Sequence, residues 1–547
     1  MRKKANVDAV VVGAGLGGIY AMHKLRDMGL DVVGLERASG VGGVWRHNRY
    51  PGSRVDLESY IYSYHFSPEI YRGWRWSERY AAQPELLRYL QYVADSLGVT
   101  EAFRFNTPML SAEWRPQDAR YRILAGDDLE LNARFLVMAT GNLSYPRDIT
   151  FPGAERFRGD LALSSRWPER DIEFEGRRVA VVGTGSSGVQ SASALAGVAK
   201  HLHVFQRTPH FCIPSRNGPM NVEKFEAVAA DPLAQRAMLW RSSRYRRVAS
   251  LDPKPGGECT PEEMQERLER QWRLGGHGMQ VVFSDQMTNM AVNKVVADFV
   301  KAKIRETVKD PEIAKKLLPP YPFGIRRLSI DDGYYEIFNR PDVSLVDMAE
   351  DPIQEITETG IRTRDREYEL DVIILALGFK AFKGELDNAN ITNERGQTYT
   401  HRWERGPRTL LGLMTSGFPN LFVLTGPGSP SVQANLFLIN EYHTEWLVNC
   451  LKHMAAHGHQ TIEPSVEAED LWTEHVTDVA VETVPIRVVN NNYLVHVNDD
   501  GTRAFNAHVR LDRYIESADT VAANGYEGFV FGGAPHKADA ERALSSA

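Results

Sequence analysis

The chain has 547 residues, a net charge of −7, 43% apolar and 25% charged residues. That length exceeds what one hydrophobic core supports, so about two to four domains are expected, and the composition excludes wholesale disorder. The modest acidity excludes general nucleic-acid binding, which requires a basic face.

In chain order, "VDAVVVGAGLGG" is an apolar run closing on Gly13, Gly15 and Gly18, followed by "IYAMHKLRDMG" with helical periodicity. Strand, glycine turn and helix form the context in which GxGxxG binds a dinucleotide. The first glycine permits the turn, the second lets backbone approach a pyrophosphate, and the third packs helix on strand. The next strand, "LDVVGLE", ends at Glu36, an acid placed to bond ribose hydroxyls and to repel a 2′-phosphate. This first site favours FAD or NAD; a purely structural glycine turn is the alternative. "ARFLVMATGNLS" reads as an apolar strand closing into a small-residue turn at Gly141.

A second glycine loop follows in "RRVAVVGTGSSGVQSASALAG", with Gly183, Gly185 and Gly188. The strand after it, "KHLHVFQRTP", carries Gln206 where an acid would stand, then Arg207. A neutral residue with an arginine accommodates a 2′-phosphate, so this site reads as NADPH; an ordinary surface arginine is the alternative.

From about 215 to 330 the texture turns helical. "TPEEMQERLERQW" offers Thr260 as N-cap, Pro261 in the first turn and Glu263 closing a capping box, and "MAVNKVVADFVKAKIRETV" is a further helix. The arginines of "RSSRYRRVAS" read as a solvated face. "REYELDVIILALGF" is another strand closing at Gly378.

Cys212, Cys259 and Cys450 are too scattered for a CxxC, which disfavours a disulfide scaffold, a zinc ribbon and a dithiol flavoprotein. Their low number suits a reducing cytoplasm. His201 and His203 alternate along a strand, and His453, His457 and His459 close a helix, where histidine suits the dipole; no metal site is expected. The N-terminal apolar run reads as core, not as a signal peptide, and no run of about 18 uncharged apolar residues suggests a membrane span.

The segment "GVGGVWRHNRYPGSRVD" spaces Gly43, Trp45, Tyr50, Pro51, Gly52 and Asp56 in a way that plain structure does not explain. With both glycine loops, "FQRTPHF", "YPFGIRRL", "TSGFPNLFVLTGPGSPS" and "NGYEGFVF", it resembles the type I Baeyer–Villiger monooxygenases over residues 7 to 531. The resemblance implies an α/β fold of two Rossmann-type domains, the NADP domain nested in the FAD domain and carrying a helical insert. It implies FAD domain parts at 1–145 and 385–533, NADP domain parts at 150–212 and 331–380, the insert at 213–330 and a loose tail at 534–547.

The implied activity is conversion of ketones to esters or lactones with NADPH and O2, through a flavin C4a-peroxide. Arg327 matches the catalytic arginine, and Asp56 the carboxylate that holds it. An arginine suits a site that must stabilise oxyanions, because it stays charged, and a buried one needs a counter-charge. Gly43, Trp45 and Tyr62 join the first loop on the flavin. Thr184, Ser186, Ser187, Thr208 and Arg326 join the second on NADPH, Arg326 near the 2′-phosphate. Asn142, Leu143, Val432 and Gln433 are the implied substrate-lining residues, and Gln433 would suit a substrate with a polar group; a glutamine turned to solvent is the alternative. The implied form is a monomer or weak homo-oligomer.

Three departures stand out. The family fingerprint FxGxxxHxxxWP is met by Phe157, Gly159, Trp167 and Pro168, but Leu163 replaces its histidine. Leucine neither donates, accepts nor titrates; in an inter-domain linker, it would alter coupling between NADPH binding and oxygenation. The family's tryptophan-containing lid is replaced by "VVNNNYLVHVNDDGTRAF", where Asn490, Asn491, Asn492 and Tyr493 are the nearest material. The third is the Val432–Gln433 bulge itself. Two other functions remain open: an oxygenase acting on nitrogen or sulfur, and an uncoupled flavoprotein that oxidises NADPH without oxygenating a substrate.

Overall fold

The computed structural model describes residues 2–241, 254–431, 434–483, 494–498 and 500–533. Most of the arginine-rich stretch, Val432, Gln433, Asn490 to Tyr493 and the tail therefore lie outside the described residues.

The fold is α/β, with two parallel-centred sheets. The first has eight strands. Its centre is Lys3–Val12, whose carboxyl half carries the buried valines that a strand covered on both faces needs. It pairs in parallel with Val32–Leu35 and with Leu129–Met138, and Val12 lies opposite both Leu35 and Met138. Three strands thus end level, and their following turns open on one side. In such sheets ligands bind beyond the carboxyl ends of the strands. The helix Leu16–Asp27 covers one face, burying Ile19, Tyr20, Met22 and Leu25. A Cβ on Gly17 would overlap the Asn440 side chain, so the glycine allows this helix to lie close to the long helix Leu436–His457.

After Met138 the chain builds a second sheet and later returns. Ile391–Thr392 pairs with Met109–Arg115, and Leu421–Val423 pairs with the carboxyl half of Leu129–Met138. The second sheet has five strands. From edge to edge they are Val343–Asp347, His201–Gln206, Arg178–Val182, Val372–Leu375 and Asp160–Leu163, all parallel. It is thus nested within the chain path of the first.

Leu163 departs from expectation. It is not in a linker but ends the edge strand Asp160–Leu163, with its Cα opposite Leu375. The four residues "DLAL" lack the strict apolar–polar alternation that announces a strand. The turn that follows does bridge outward: Trp167 N–H donates to the His47 carbonyl (3.2 Å), and Arg49 donates to the Pro168 carbonyl (2.9 Å).

Between the sheets' segments lies the helical insert. The Thr260–Glu263 capping box forms as the sequence suggests, on the helix Pro261–Leu274. Asn289 caps Met290–Thr307, which buries Val296, Val300 and Ile304. Among the described residues no helix is long and apolar enough to cross a membrane.

Candidate active site

One cleft of ≈ 890 Å³ runs between the two sheets and is lined by both glycine loops. Gly13 and Gly15 meet it from the first loop, and Gly183, Gly185, Thr184, Ser186 and Ser187 from the second. Gly18 and Gly188 stand behind: a Cβ on either would overlap the carbonyl oxygen of Gly13 or Gly183, so each lets its helix pack onto its strand.

Gly13 has φ +104°, a region favouring glycine. Across the cleft wall a Cβ on Gly15 would sit 3.4 Å from the Cα of Gly43, itself at φ +54°. Bare backbone on two segments thus leaves a slot without side chains, which fits the close approach of a pyrophosphate. Glu36 is buried; its Oε2 accepts from Ala14 N–H and its Oε1 from Ala38 N–H, both at 2.7 Å. Each oxygen keeps a lone pair, and the residue lines the cleft. Trp45 Nε1 donates to Tyr62 Oη (3.2 Å), and both line the same end.

At the second loop Thr184 Oγ1 donates to the Thr208 carbonyl (3.0 Å) and Ser186 Oγ lies 3.4 Å from Ser329 Oγ. Arg207, Thr208 and Arg326 line the cleft, with Arg326 over the Tyr321 ring at 5.0 Å. Gln206 does not line it. Its side chain is 1% exposed and donates through Nε2 to the Lys316 carbonyl (2.8 Å). Period-two alternation puts it on the face of Leu202 and Val204, which packs under Ile304 and Leu317 of the insert. At this end it is Arg207 and Arg326, not Gln206, that face the cleft.

The two loops are joined at Tyr50–Gly52. Tyr50 Oη donates to Gln190 Oε1 (2.9 Å), and Gln190 Nε2 donates to the Arg54 carbonyl (3.2 Å). A Cβ on Gly52 would overlap the Gln190 carbonyl, which accounts for a glycine there.

Asp56 and Arg327, 271 positions apart, meet at this joint. Arg327 Nε donates to Asp56 Oδ2 (2.5 Å) and Nη2 to Oδ1 (2.7 Å), a bidentate fork. Burial would raise the Asp56 carboxyl, but the charge and hydrogen bonds of Arg327 outweigh it, so Asp56 is held far below the usual range. The backbone is fixed too. His210 Nε2 donates to the Arg327 carbonyl (2.7 Å), leaving Nδ1 to accept from the Tyr321 hydroxyl (2.7 Å).

His277 was not singled out in the sequence. Its Nε2 lies 3.4 Å from Asp56 Oδ2, and it is buried. The one available signal was "GGHG": Gly275 and Gly276 both have positive φ, and their Cβ atoms would overlap Pro214 O and Tyr80 Oη. His277 also lines a smaller cavity of ≈ 140 Å³ that shares Asp56, Leu57 and Ala434 with the main cleft.

Asn142 and Leu143 line the cleft on the far side. Asn142 Nδ2 donates to Thr425 Oγ1 (3.1 Å). Thr425 has φ +56°, unusual for a β-branched residue. Its N–H donates to His443 Nδ1 (2.9 Å), so His443 carries its proton on Nε2 and donates to Tyr514 Oη (2.8 Å). Tyr514 in turn donates to the Leu411 carbonyl (2.7 Å). This buried chain holds the Thr425 turn in place; neither His443 nor Tyr514 stood out in the sequence.

Residues 7–229 match the pyridine nucleotide-disulphide oxidoreductase family model. The chain is 38% identical to a Baeyer–Villiger monooxygenase of Pseudooceanicola batsensis, covering 88% of each chain. It is 36% identical to a phenazine N-monooxygenase of Lysobacter antibioticus, covering 96% of this chain and 97% of that one. The solved structure of the OTEMO complex with FAD and NADP is 38% identical, with a TM-score of 0.92 over 97% of this chain and all of that one. The chain belongs to the Baeyer–Villiger monooxygenase family.

Proposed function

We propose that this protein is an NADPH- and O2-dependent monooxygenase that converts ketones to esters or lactones. The observation that carries the reading is Arg327, forked onto Asp56, in one cleft with two dinucleotide loops. FAD would be held at the first loop, by Glu36 at the ribose hydroxyls and by Gly15 and Gly43 at the pyrophosphate. NADPH would be held at the second, with Arg207 and Arg326 for its 2′-phosphate. FAD reduced by NADPH supplies the activation of O2.

The chain's own residues do the rest. Arg327 places a fixed positive charge where the carbonyl oxygen gains negative charge, in a site partly withdrawn from water. Asp56 orients that guanidinium and balances it when substrate is absent. Asn142 and Leu143 line the substrate seat. Leu163 sits in the strand leading to the Trp167–His47 contact, and affects coupling between the two units through that path. The domain boundaries given above, a cytoplasmic location and a monomer or weak homo-oligomer belong to the same reading.

The phenazine N-monooxygenase relative favours a second reading, oxygen transfer to nitrogen or sulfur. A soft nucleophile needs no fixed cation at the oxygen it attacks, so the two readings part at Arg327. Arg327→Ala should abolish ester formation from ketones and NADPH. A variant that still oxygenates an amine or thioether at the full wild-type rate, from an enzyme that makes no ester, supports the second reading.

A further inference from the structure

His277 shares one carboxylate oxygen with the residue on which the proposed chemistry turns. Asp56 Oδ2 takes Arg327 Nε at 2.5 Å and has His277 Nε2 at 3.4 Å, and the His277 side chain is 5% exposed. The ring cannot drift away easily. It follows two glycines in left-handed conformation, each boxed in where a Cβ would point, by Pro214 and Tyr80. Resting on the monooxygenase reading, we propose that His277 is a positioning residue for Arg327, acting through Asp56. Neutral, it is at most a long, weak donor to Oδ2 and leaves the fork intact; protonated, it draws Oδ2 toward itself, loosens the fork and lowers the yield of oxygenated product.

The electrostatics have the sense this requires. Burial lowers the His277 pKa most, Asp56 raises it, and Arg327 lowers it, with a net shift downward from the ordinary value. Two cations cannot both claim a single Oδ2 without mutual repulsion. Linkage makes the effect reciprocal: what Arg327 does to His277, protonated His277 does to Arg327. The other charged groups facing the small cavity are Glu58, Arg79 and Lys224, with the Tyr80 phenol. Arg79 and Lys224 both pair with Glu58, at 2.6 and 3.5 Å. The trio keeps one net positive charge, but the charges that act on His277 are those of Asp56 and Arg327.

Two measurements test this on the FAD-loaded enzyme. The first follows the ¹⁵N resonances of His277 through pH in wild type, Asp56→Asn and Arg327→Ala. The expected result is a lower titration point in Asp56→Asn and a higher one in Arg327→Ala. A titration point unmoved by either substitution overturns the proposal, whatever the enzyme catalyses. The second compares product formed per NADPH across pH in wild type and His277→Gln, which keeps an N–H donor but does not titrate. Wild type should lose yield on the acid side by about tenfold per pH unit, and the variant should lack that limb. An acid limb retained unchanged in His277→Gln also overturns the proposal. Resonances that move as expected in an enzyme that forms no ester from any ketone sink the functional reading and leave the His277–Asp56–Arg327 coupling standing.

Discussion

Asp56→Asn is the sharpest perturbation of the site. The substitution keeps the shape and one carbonyl oxygen, so Arg327 retains one neutral acceptor. It removes the negative charge and one arm of a fork whose bonds are 2.5 and 2.7 Å long. Hydrogen bonds to charged groups contribute about 1.5–3 kcal/mol each, against about 1 for a neutral one. The fork is not sealed: 27% of the Arg327 side chain and 19% of the Asp56 side chain remain exposed. Solvent screening therefore places the loss near the lower part of the summed range, about 2–3 kcal/mol. If that fork is needed only when charge develops on oxygen, ester formation should fall about 30- to 150-fold. The first half-reaction should be much less affected, because the glycine loops are untouched. The assay is ester or lactone formed per unit time beside the anaerobic rate of flavin bleaching by NADPH. Ester formation within about threefold of wild type would refute the argument that Asp56 orients Arg327.

Other predictions follow from the cofactor loops and the buried histidines. Gly18→Ala should yield protein without flavin absorbance, because its Cβ overlaps the Gly13 carbonyl, whereas Gly188→Ala should keep the flavin and raise KM for NADPH by about 10- to 100-fold. Arg207→Ala should cut the preference for NADPH over NADH by about tenfold or more, through loss of a charge-assisted contact, and an unchanged ratio of kcat/KM for the two would count against a 2′-phosphate there. Stability should change unevenly with pH. Burial lowers His65 and His210 to about 4 and His443 and His508 to about 3. These histidines favour the fold fully above 6.5, and their contribution is lost as pH falls toward their folded values. Burial raises Asp331, Glu441 and Glu469 to about 7, so these favour the fold increasingly as pH falls from 7. The two groups oppose each other down to about pH 4.5; below that the histidines prevail, so Tm, nearly level above, should drop steeply. A Tm that rises below pH 4.5 would contradict this.

Both glycine loops, the Thr260 capping box and the Asp56–Arg327 pairing were legible in the sequence. Glycine turns and caps are local rules, written in adjacent residues. The pairing was legible only through the resemblance, since no local rule joins residues 271 positions apart. Leu163 was expected in a linker because "DLAL" carries no strict alternation from which to read an edge strand. Gln206 was read from its place at a strand end as the neutral residue beside Arg207 at a 2′-phosphate, yet its side chain faces the insert, because the facing of a strand's last residue follows from what packs on the sheet. His277, His210 and His443 went unseen for one shared reason: each acts through a partner brought by a different element, Asp56, Arg327 and Thr425 respectively.

The most direct test of the account is turnover under ¹⁸O2. Purified FAD-loaded enzyme would be given NADPH and a panel of cyclic, linear and aryl ketones with one thioether, and products would be read by mass. The account predicts an ester or lactone carrying one ¹⁸O for each NADPH consumed, lost in Arg327→Ala. NADPH consumption balanced by hydrogen peroxide across every ketone, with sulfoxide the one oxygenated product, would contradict it.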